Sequence, residues 1–228
     1  ADPADLTAAD TGPVADDSVD SLVSDLRNGT VRDRQRAAIA LAKRRPDETV
    51  LEALAASARS DSDADVRQFA VEALASLDGP EAADVALEAL NDDDPWVRAE
   101  AIVTLDDIDR QAFVDDIEQG LDDDHPAVRR NALVSLWKVH GVEMLDKLLP
   151  FAKDESDRVR EWVATLLGGI DDPRATEALR ALTRDPHDIV ATTAADSLEG
   201  TGSDDSIDTG PTPSHNPEQS RHDTPPDL

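Results

Sequence analysis

Residues 92–105 read DDDPWVRAEAIVTL, and residues 123–136, one step of 31 residues later, read DDHPAVRRNALVSL. Weaker copies of the same phrase begin at residues 61, 154 and 185. A fixed period of this size predicts stacked supersecondary units, each packed on its neighbours, rather than a single folded core. The register is marked by a Val-Arg pair, which stands at Val66-Arg67, Val97-Arg98, Val128-Arg129 and Val159-Arg160, with Val190-Ala191 completing the series.

The apolar residues of the phrase have the spacing of one helix face. Counted from the Val as position 0, positions +4, +7, +8 and +11 are small or apolar in nearly every copy. Such steps trace a single buried stripe on an α-helix. The stripe is expected to contain Ala70, Ala101, Ala132, Val163 and Ala194 at +4, Leu74, Leu105, Leu136, Leu167 and Leu198 at +8, and Leu77, Ile108, Val139 and Ile170 at +11.

Each of these helices has a partner upstream in the sequence. Position −3 carries Asp63, Asp94, His125, Ser156 or His187 and is interpreted as the N-cap. Before each acidic turn lies a second amphipathic segment, at residues 48–58, 80–90, 110–121, 142–153 and 174–184. A degenerate first unit, with helices near residues 18–27 and 34–44, has Asp33 in place of the Val. The sequence therefore predicts an all-α array of about six helical hairpins.

The ends of the chain differ from its middle. We expect the repeats to occupy residues 16–199, because residues 1–15 and 200–228 are rich in Ala, Asp, Ser, Thr, Pro and Gly and lack the periodicity. Segments of that composition bury too little apolar surface to fold, so both ends are expected to be disordered. The tail is interpreted as solvated padding, with a linear recognition peptide as the alternative.

Composition limits the partners and the compartment. The 228 residues include 51 acids, 22 Lys and Arg, and no Cys, for a net charge of −29. Such a balance argues against nucleic acid, whose binding requires clustered cations, and no apolar run is long enough to cross a membrane. We expect a cytoplasmic protein, a monomer or weak oligomer. The excess of Asp over Lys is typical of salt-accumulating archaea; the alternative is an acidic protein from an ordinary cell.

The Arg of each phrase recurs in step with an Asp in the turn. Arg67, Arg98, Arg129 and Arg160 follow the inward Val, and Asp92, Asp123 and Asp154 are their favoured partners. A guanidinium can bond a carboxylate and turn carbonyls together, which would set the angle between units. The alternative is a row of Arg that binds anionic ligands. Because the Asp keeps the same period, the structural interpretation is favoured.

Residues that could carry chemistry do not converge in the sequence. His125 and His187 occupy equivalent positions two units apart, too distant to share a metal ion. The runs of Asp lack the alternating spacing and the Gly of a calcium loop, and no phosphate-binding or nucleophile motif is present. We therefore expect no catalytic residues, no metal and no cofactor.

One part of the second helices has the composition of a binding surface. At 100° per residue, positions +2, +6 and +9 lie opposite the buried stripe. In the third and fourth units these positions hold Asp106 and a predicted binding patch of Ala99, Val103, Arg130, Val134 and Trp137. Aliphatic residues, a Trp and an Arg together are typical of protein-binding hot spots. The alternative is that curvature or the tail covers Val103 and Val134.

The phrase D-x4-V-R-x2-A-x2-A/S/T-L in short helical pairs resembles the HEAT-like repeats first noted in phycobilisome lyases. The resemblance covers residues 18–199 and departs from the pattern at Asp33 and Ala191. It implies a right-handed α-solenoid whose second helices line the concave face. None of the five His is followed by Glu, so the His-Glu pairs of HEAT-type deoxyhypusine hydroxylases are absent.

Proteins with such repeats are mostly protein-binding scaffolds, so the resemblance implies a non-catalytic adaptor. Among haloarchaeal members, it implies a role in taxis, between chemotaxis proteins and accessory proteins of the archaellum motor. Two other functions stay open. One is a bilin lyase-like enzyme or chaperone, and the other is an acidic mimic that occupies a basic surface on another protein.

Overall fold

Helices form all of the regular structure in residues 18–45, 47–77 and 81–200, which are the residues that the computed structural model describes. These ranges contain twelve α-helices and no strand. The helices are α1 (Val19–Asn28), α2 (Val31–Leu41), α3 (Glu48–Ser60), α4 (Ala64–Ser76), α5 (Ala82–Ala89), α6 (Pro95–Asp109), α7 (Val114–Gln119), α8 (Pro126–His140), α9 (Leu145–Phe151), α10 (Asp157–Gly168), α11 (Pro173–Leu182) and α12 (Asp188–Gly200).

Consecutive helices pack as six hairpins, which confirms the predicted architecture. The even-numbered helices are the second helices of the hairpins and form one continuous row, because α2 contacts α4, α4 contacts α6, α6 contacts α8, α8 contacts α10 and α10 contacts α12. The first helices pack behind them, and α1 contacts α3, which contacts α5. Each unit thus buries its apolar stripe against its neighbours, as expected of an α-solenoid.

The core is aliphatic and follows the predicted register. The five Val at position 0 and the five residues at +4 are all buried. They divide between two clusters of buried residues, both of which include residues of α5 and α6. The prediction is wrong at Ile108, whose side chain is 38% exposed. Ile108 lies in the last turn of α6, which ends at the next residue.

Local sequence explains where the helices begin. The side chains of Asp63, Asp94 and His125 accept bonds from backbone N–H groups in the first turns of α4, α6 and α8, whereas Ser156 makes no such bond. Helix α2 begins at Val31, before the predicted start near residue 34. There Thr30 and Asp33 form a capping box, each side chain accepting a bond from the other residue's backbone N–H.

The first helices of the middle units are shorter than predicted. Helix α7 ends at Gln119 and continues as a 3₁₀ turn over Gly120–Asp122, and a 3₁₀ turn over Gly141–Met144 precedes α9. No helix in the described ranges is long and apolar enough to cross a membrane. The disorder expected for residues 1–15 and 201–228 lies outside the described residues, while Gly200 is the last residue of α12.

Candidate docking surface on the second helices

A ladder of Arg–Asp pairs joins each unit to the next. In every pair the Nε and Nη2 atoms of an Arg at +1 contact the two carboxylate oxygens of the Asp at −5 of the following unit, at 2.6–2.9 Å. The pairs are Arg34–Asp61, Arg67–Asp92, Arg98–Asp123, Arg129–Asp154 and Arg160–Asp185. Three of these residues, Arg34, Asp61 and Asp185, were not among the predicted partners.

The third nitrogen of each guanidinium, Nη1, donates a hydrogen bond to a backbone carbonyl. Nη1 of Arg67 donates to the carbonyl oxygen of Asp61 at 2.9 Å, and Nη1 of Arg129 donates to that of Asp123 at 2.9 Å. Each of these Arg therefore connects the acidic turn of its own unit to the turn of the next. Guanidinium groups that are bonded in this way have no open fork for a phosphate. The ladder stabilises the stack and is not an anion site.

The ladder also acts on its carboxylates. Burial opposes ionisation of Asp61, Asp92 and Asp123, but the hydrogen bonds and charge of the Arg outweigh it and hold the pKa of each below its ordinary value of 3.8. The pKa of Asp185 is lowered mainly by its bond from Arg160. These groups are ionised in the folded protein at neutral pH.

The surface of the second helices is formed by positions +3, +6 and +10. We call it the second-helix face. Most of its members are partly or fully exposed. They are Arg36, Ile39 and Lys43 in α2 and its C-terminal turn, Phe69, Glu72 and Ser76 in α4, Glu100, Val103 and Asp107 in α6, Asn131, Val134 and Lys138 in α8, Trp162, Thr165 and Gly169 in α10 and its end, and Thr193, Asp196 and Gly200 in α12.

Two of the positions predicted to face solvent are covered. Ala99 at +2 is only 4% exposed and Asp106 at +9 only 5%, so the prediction of a solvent-facing Ala99 is wrong. The side-chain amide of Asn131 donates to the carbonyl oxygen of Ala99 at 3.1 Å, and Ser135 Oγ donates to Asp106 Oδ1 at 2.6 Å. The helical wheel considered one helix alone, whereas the next second helix packs over +2 and +9.

Val103 and Val134 line a groove between α6 and α8. Its volume is about 140 Å³. Both side chains are half-buried and reach the surface, while the neighbouring Ile102 is fully buried. The lining residues are Ile102, Val103, Asp106, Asp107, Asn131, Val134, Ser135 and Lys138. The structure therefore brings together two of the five residues of the predicted binding patch.

On one side of the groove, the buried carboxylate of Asp106 binds two cationic side chains. Lys138 Nζ lies 2.6 Å from Asp106 Oδ2, and Arg110 Nε lies 2.8 Å from Asp106 Oδ1. Burial raises the pKa of Asp106, but the bonds from Arg110, Lys138 and Ser135 outweigh burial and leave that pKa below its ordinary value. The charge of Lys138 is thus engaged within the protein.

The other predicted patch residues have different surroundings. Trp137 is half-buried and packs against the larger core cluster, outside the groove lining. Arg130 is half-buried, and its guanidinium donates to Asn131 Oδ1 at 3.2–3.3 Å. A docking role for these residues stays a prediction.

A buried acid on the second-helix face was missed from the sequence. Glu100 at +3 of α6 is only 8% exposed, and Gln68 Nε2 donates to its Oε2 at 3.4 Å. Burial, reinforced by the charges of Glu72 and Asp107, raises the pKa of Glu100 from 4.5 to about 8. A signal was present, because the repeat alignment places a carboxylate at +3 in this unit alone.

Potential metal and cofactor ligands remain dispersed. Among residues 18–45, 47–77 and 81–200, no group of three or more His, Asp and Glu could hold a metal ion. His125 caps α8 with its ring edge-on to Trp96, and His187 Nε2 lies 2.9 Å from Asp157 Oδ2. His125 therefore has a capping role and His187 contacts an acid of the neighbouring unit.

Comparisons with known proteins agree with the fold. The family model of HEAT repeats matches residues 19–106, 83–162 and 114–199. No curated protein matches the chain. Among solved structures, the chain resembles the CpcE–CpcF complex of phycocyanin lyase from Nostoc sp. PCC7120, with 21% identity, a TM-score of 0.55, and coverage of 87% of this chain and 81% of that one.

Repeat proteins made by design are also similar. A designed armadillo repeat protein in complex with the peptide (KR)4 shares 17% identity at a TM-score of 0.51, with coverage of 81% of this chain and 100% of that chain. An engineered protein shares 20% identity at a TM-score of 0.53, with coverage of 81% and 98%. At these identities the likenesses concern the fold. Since the family model spans nearly all of the described residues, the chain belongs to the HEAT-repeat family.

Proposed function

We propose that the protein is a non-catalytic scaffold that binds another protein through the groove between α6 and α8. One observation carries the proposal: the adjacent Val103 and Val134 are half-exposed on the second-helix face. The same +6 position holds Ile39, Glu72, Thr165 and Asp196 in the other four units. The fold therefore does not require an aliphatic residue there, and adjacent apolar side chains at a surface commonly mark a binding site.

The related solved structures support this function. The CpcE–CpcF structure is a complex of two proteins, and the armadillo repeat protein is bound to a peptide. Solenoids offer extended surfaces built from successive units. The proposed scaffold function is the same use of the fold, namely binding of another protein or peptide.

The finer role that we propose is an adaptor in a haloarchaeal cytoplasm, between chemotaxis proteins and accessory proteins of the archaellum motor. It is supported by the HEAT repeats and by a net charge of −29, which high salt would screen. A low-salt measurement tests the origin: if helical content and the melting temperature are unchanged when molar salt is removed, the halophilic assignment is wrong.

Two alternatives have specific support. The likeness to phycocyanin lyase favours a bilin lyase-like enzyme or chaperone, and the high negative charge favours an acidic mimic that occupies a basic protein surface. A pigment-binding assay separates the first, because the scaffold should bind no bilin. Association that depends on salt but not on Val103 or Val134 would favour the mimic.

The test of the scaffold is capture of a partner by matched variants. The variant Val103→Asp/Val134→Asp places charges in the groove, while Val142→Asp makes the same change at a side chain that is 58% exposed in the turn before α9. We expect wild type and Val142→Asp to retain a stoichiometric partner that the groove variant loses. Binding must then be reproduced with the purified partner. Equal binding by all three folded proteins would contradict the proposal.

A further inference from the structure

Glu100 is in an environment that disfavours its charge. Glu100 is more than nine-tenths buried, and within the described ranges its carboxylate accepts one bond, the long contact from the neutral amide of Gln68. The charges that act on it are those of Glu72 on α4 and Asp107 on α6, and both are negative. Buried carboxylates are normally paired with a cation or bonded by several donors. In the part of the chain that the structure describes, Glu100 has neither a paired cation nor several donors.

The fold does not need an acid at this position. The five other units carry Arg36, Phe69, Asn131, Trp162 and Thr193 at +3, and their second helices stack in the same way. Gln68 could equally bond another amide. A buried acid at a position where the other units hold non-acidic residues suggests a ligand that the free protein lacks.

The nearby cations are already engaged. Lys138 and Arg110 lie within electrostatic range of Asp107, but both contact Asp106 directly. On α8, the residue at the same register as Glu100 is the neutral Asn131, which bonds the carbonyl of Ala99. Among the described residues, the anionic group formed by Glu72, Glu100 and Asp107 makes no ion pair with a Lys or Arg, and this group lies next to the groove.

A metal ion does not fit this group. Among the described residues, no group of three or more His, Asp and Glu could hold a metal ion, and these three acids are no exception. A cation on a long aliphatic stem meets the geometry better, because an ammonium or guanidinium can lie beside the acids while its methylene groups cover apolar side chains. Val103, on the same helix between Glu100 and Asp107, supplies such a surface.

We propose that Glu72, Glu100 and Asp107 bind a Lys or Arg side chain from a basic segment of the partner, with its aliphatic stem on Val103 and Val134. This inference rests on the scaffold function and names the chemistry of its partner. Charge complementarity carries the assignment, since an acidic segment would meet three carboxylates and a purely apolar one would leave Glu100 buried and unpaired.

Binding of the cation must change the protonation of Glu100. In the free protein burial raises the pKa of Glu100 to about 8, so the group is mostly protonated at neutral pH. A bound cation favours the carboxylate and lowers that pKa, so association releases a proton. Affinity should therefore rise with pH, by up to about tenfold per pH unit, until the pH reaches the pKa of the free form.

The test uses fluorescent peptides of alternating Lys and Val, with Glu–Val and Gln–Val peptides of equal length as controls. Binding of each peptide to the full chain is followed by anisotropy between about pH 6 and pH 9, at fixed salt. We expect the Lys–Val peptide alone to bind, and its affinity to rise with pH. Glu100→Gln should lower that affinity at least about tenfold at the alkaline end and remove the pH dependence.

A matched variant separates local from general charge effects. Glu143→Gln removes one exposed acid from the turn before α9 and should leave binding and its pH dependence unchanged. The proposal is overturned if Glu100→Gln binds like wild type, if affinity does not vary with pH, or if the Gln–Val peptide binds equally well.

These failures differ from failure of the scaffold function. If partner capture depends on Val134 but not on Glu100, the scaffold stands and the basic segment is refuted. If capture depends on neither, both proposals are refuted.

Discussion

Replacing Glu100 by Gln should stabilise the folded protein at alkaline pH. The substitution keeps the shape of the side chain and an oxygen that can accept the bond from Gln68, and it removes the charge that burial opposes. Moving the pKa from an ordinary value of 4.5 to about 8 corresponds to a free energy on the order of 3–5 kcal/mol, because each pH unit is worth about 1.4 kcal/mol.

The direction in which stability changes with pH follows from the linkage between proton binding and folding. The raised pKa means that the folded protein holds this proton more tightly than the unfolded chain does. Between the ordinary pKa of 4.5 and the folded value of about 8, wild-type stability therefore decreases as pH rises. Below this window Glu100 is neutral in both states and has no such cost. Above it the full cost is present.

Urea unfolding of wild type and Glu100→Gln, followed by circular dichroism at fixed salt, measures the effect. The two free energies of unfolding should nearly agree at about pH 5, and the variant should be more stable by on the order of 3–5 kcal/mol at about pH 9. Taking the difference between variants cancels the other titrating groups. A difference that does not change with pH, or a variant that is less stable at pH 9, would refute the reasoning. Glu143→Gln serves as the exposed control.

Three further predictions concern the fold. Arg129→Ala should cost about 3 kcal/mol or more in urea unfolding, because it leaves a buried carboxylate unpaired, whereas Arg174→Ala, in an exposed pair, should barely change the transition. Gly120→Ala should lower the free energy of unfolding by about 1–3 kcal/mol, measured by thermal unfolding, because its Cβ would clash with the Cδ1 of Ile102 and lie 3.2 Å from the Cβ of Ala132. Gly200→Ala is the control, because the added Cβ would meet open space. Because the ladder lowers the pKa of four aspartates, stability that is present at neutral pH should be lost as pH falls below about 4, and a flat acid-unfolding profile would contradict this.

The architecture could be predicted because every repeat must satisfy the same packing requirement, so the same residue types recur at the same positions. Val at position 0 and Ala at +4 must fit between neighbouring helices in every unit, so the period alone gives the register of the core. The pairing of Arg129 with Asp154 was predictable for the same reason, as both residues recur in step. Single-copy features such as the Thr30 capping box carry no such redundancy, and the start of α2 was misplaced.

The surface was harder to predict because it depends on neighbouring units. A helical wheel treats each second helix as packed on one side, but Ala99 and Asp106 are covered by α8. Position +6 was assigned correctly to the surface, which is why Val103 and Val134 were found. Glu100 was missed, since its burial depends on α4 and on the groups that surround it in three dimensions.

The most direct measurement of the central claim is site-specific photo-crosslinking in the native cell, with a photoreactive side chain at Val134 in one variant and at Val142 in another. Both residues are valines, but Val134 lines the groove and Val142 lies in the turn before α9. The scaffold account predicts one protein crosslinked specifically from position 134. The account would be contradicted if both positions gave the same crosslinked products, or if position 134 gave no crosslinked product.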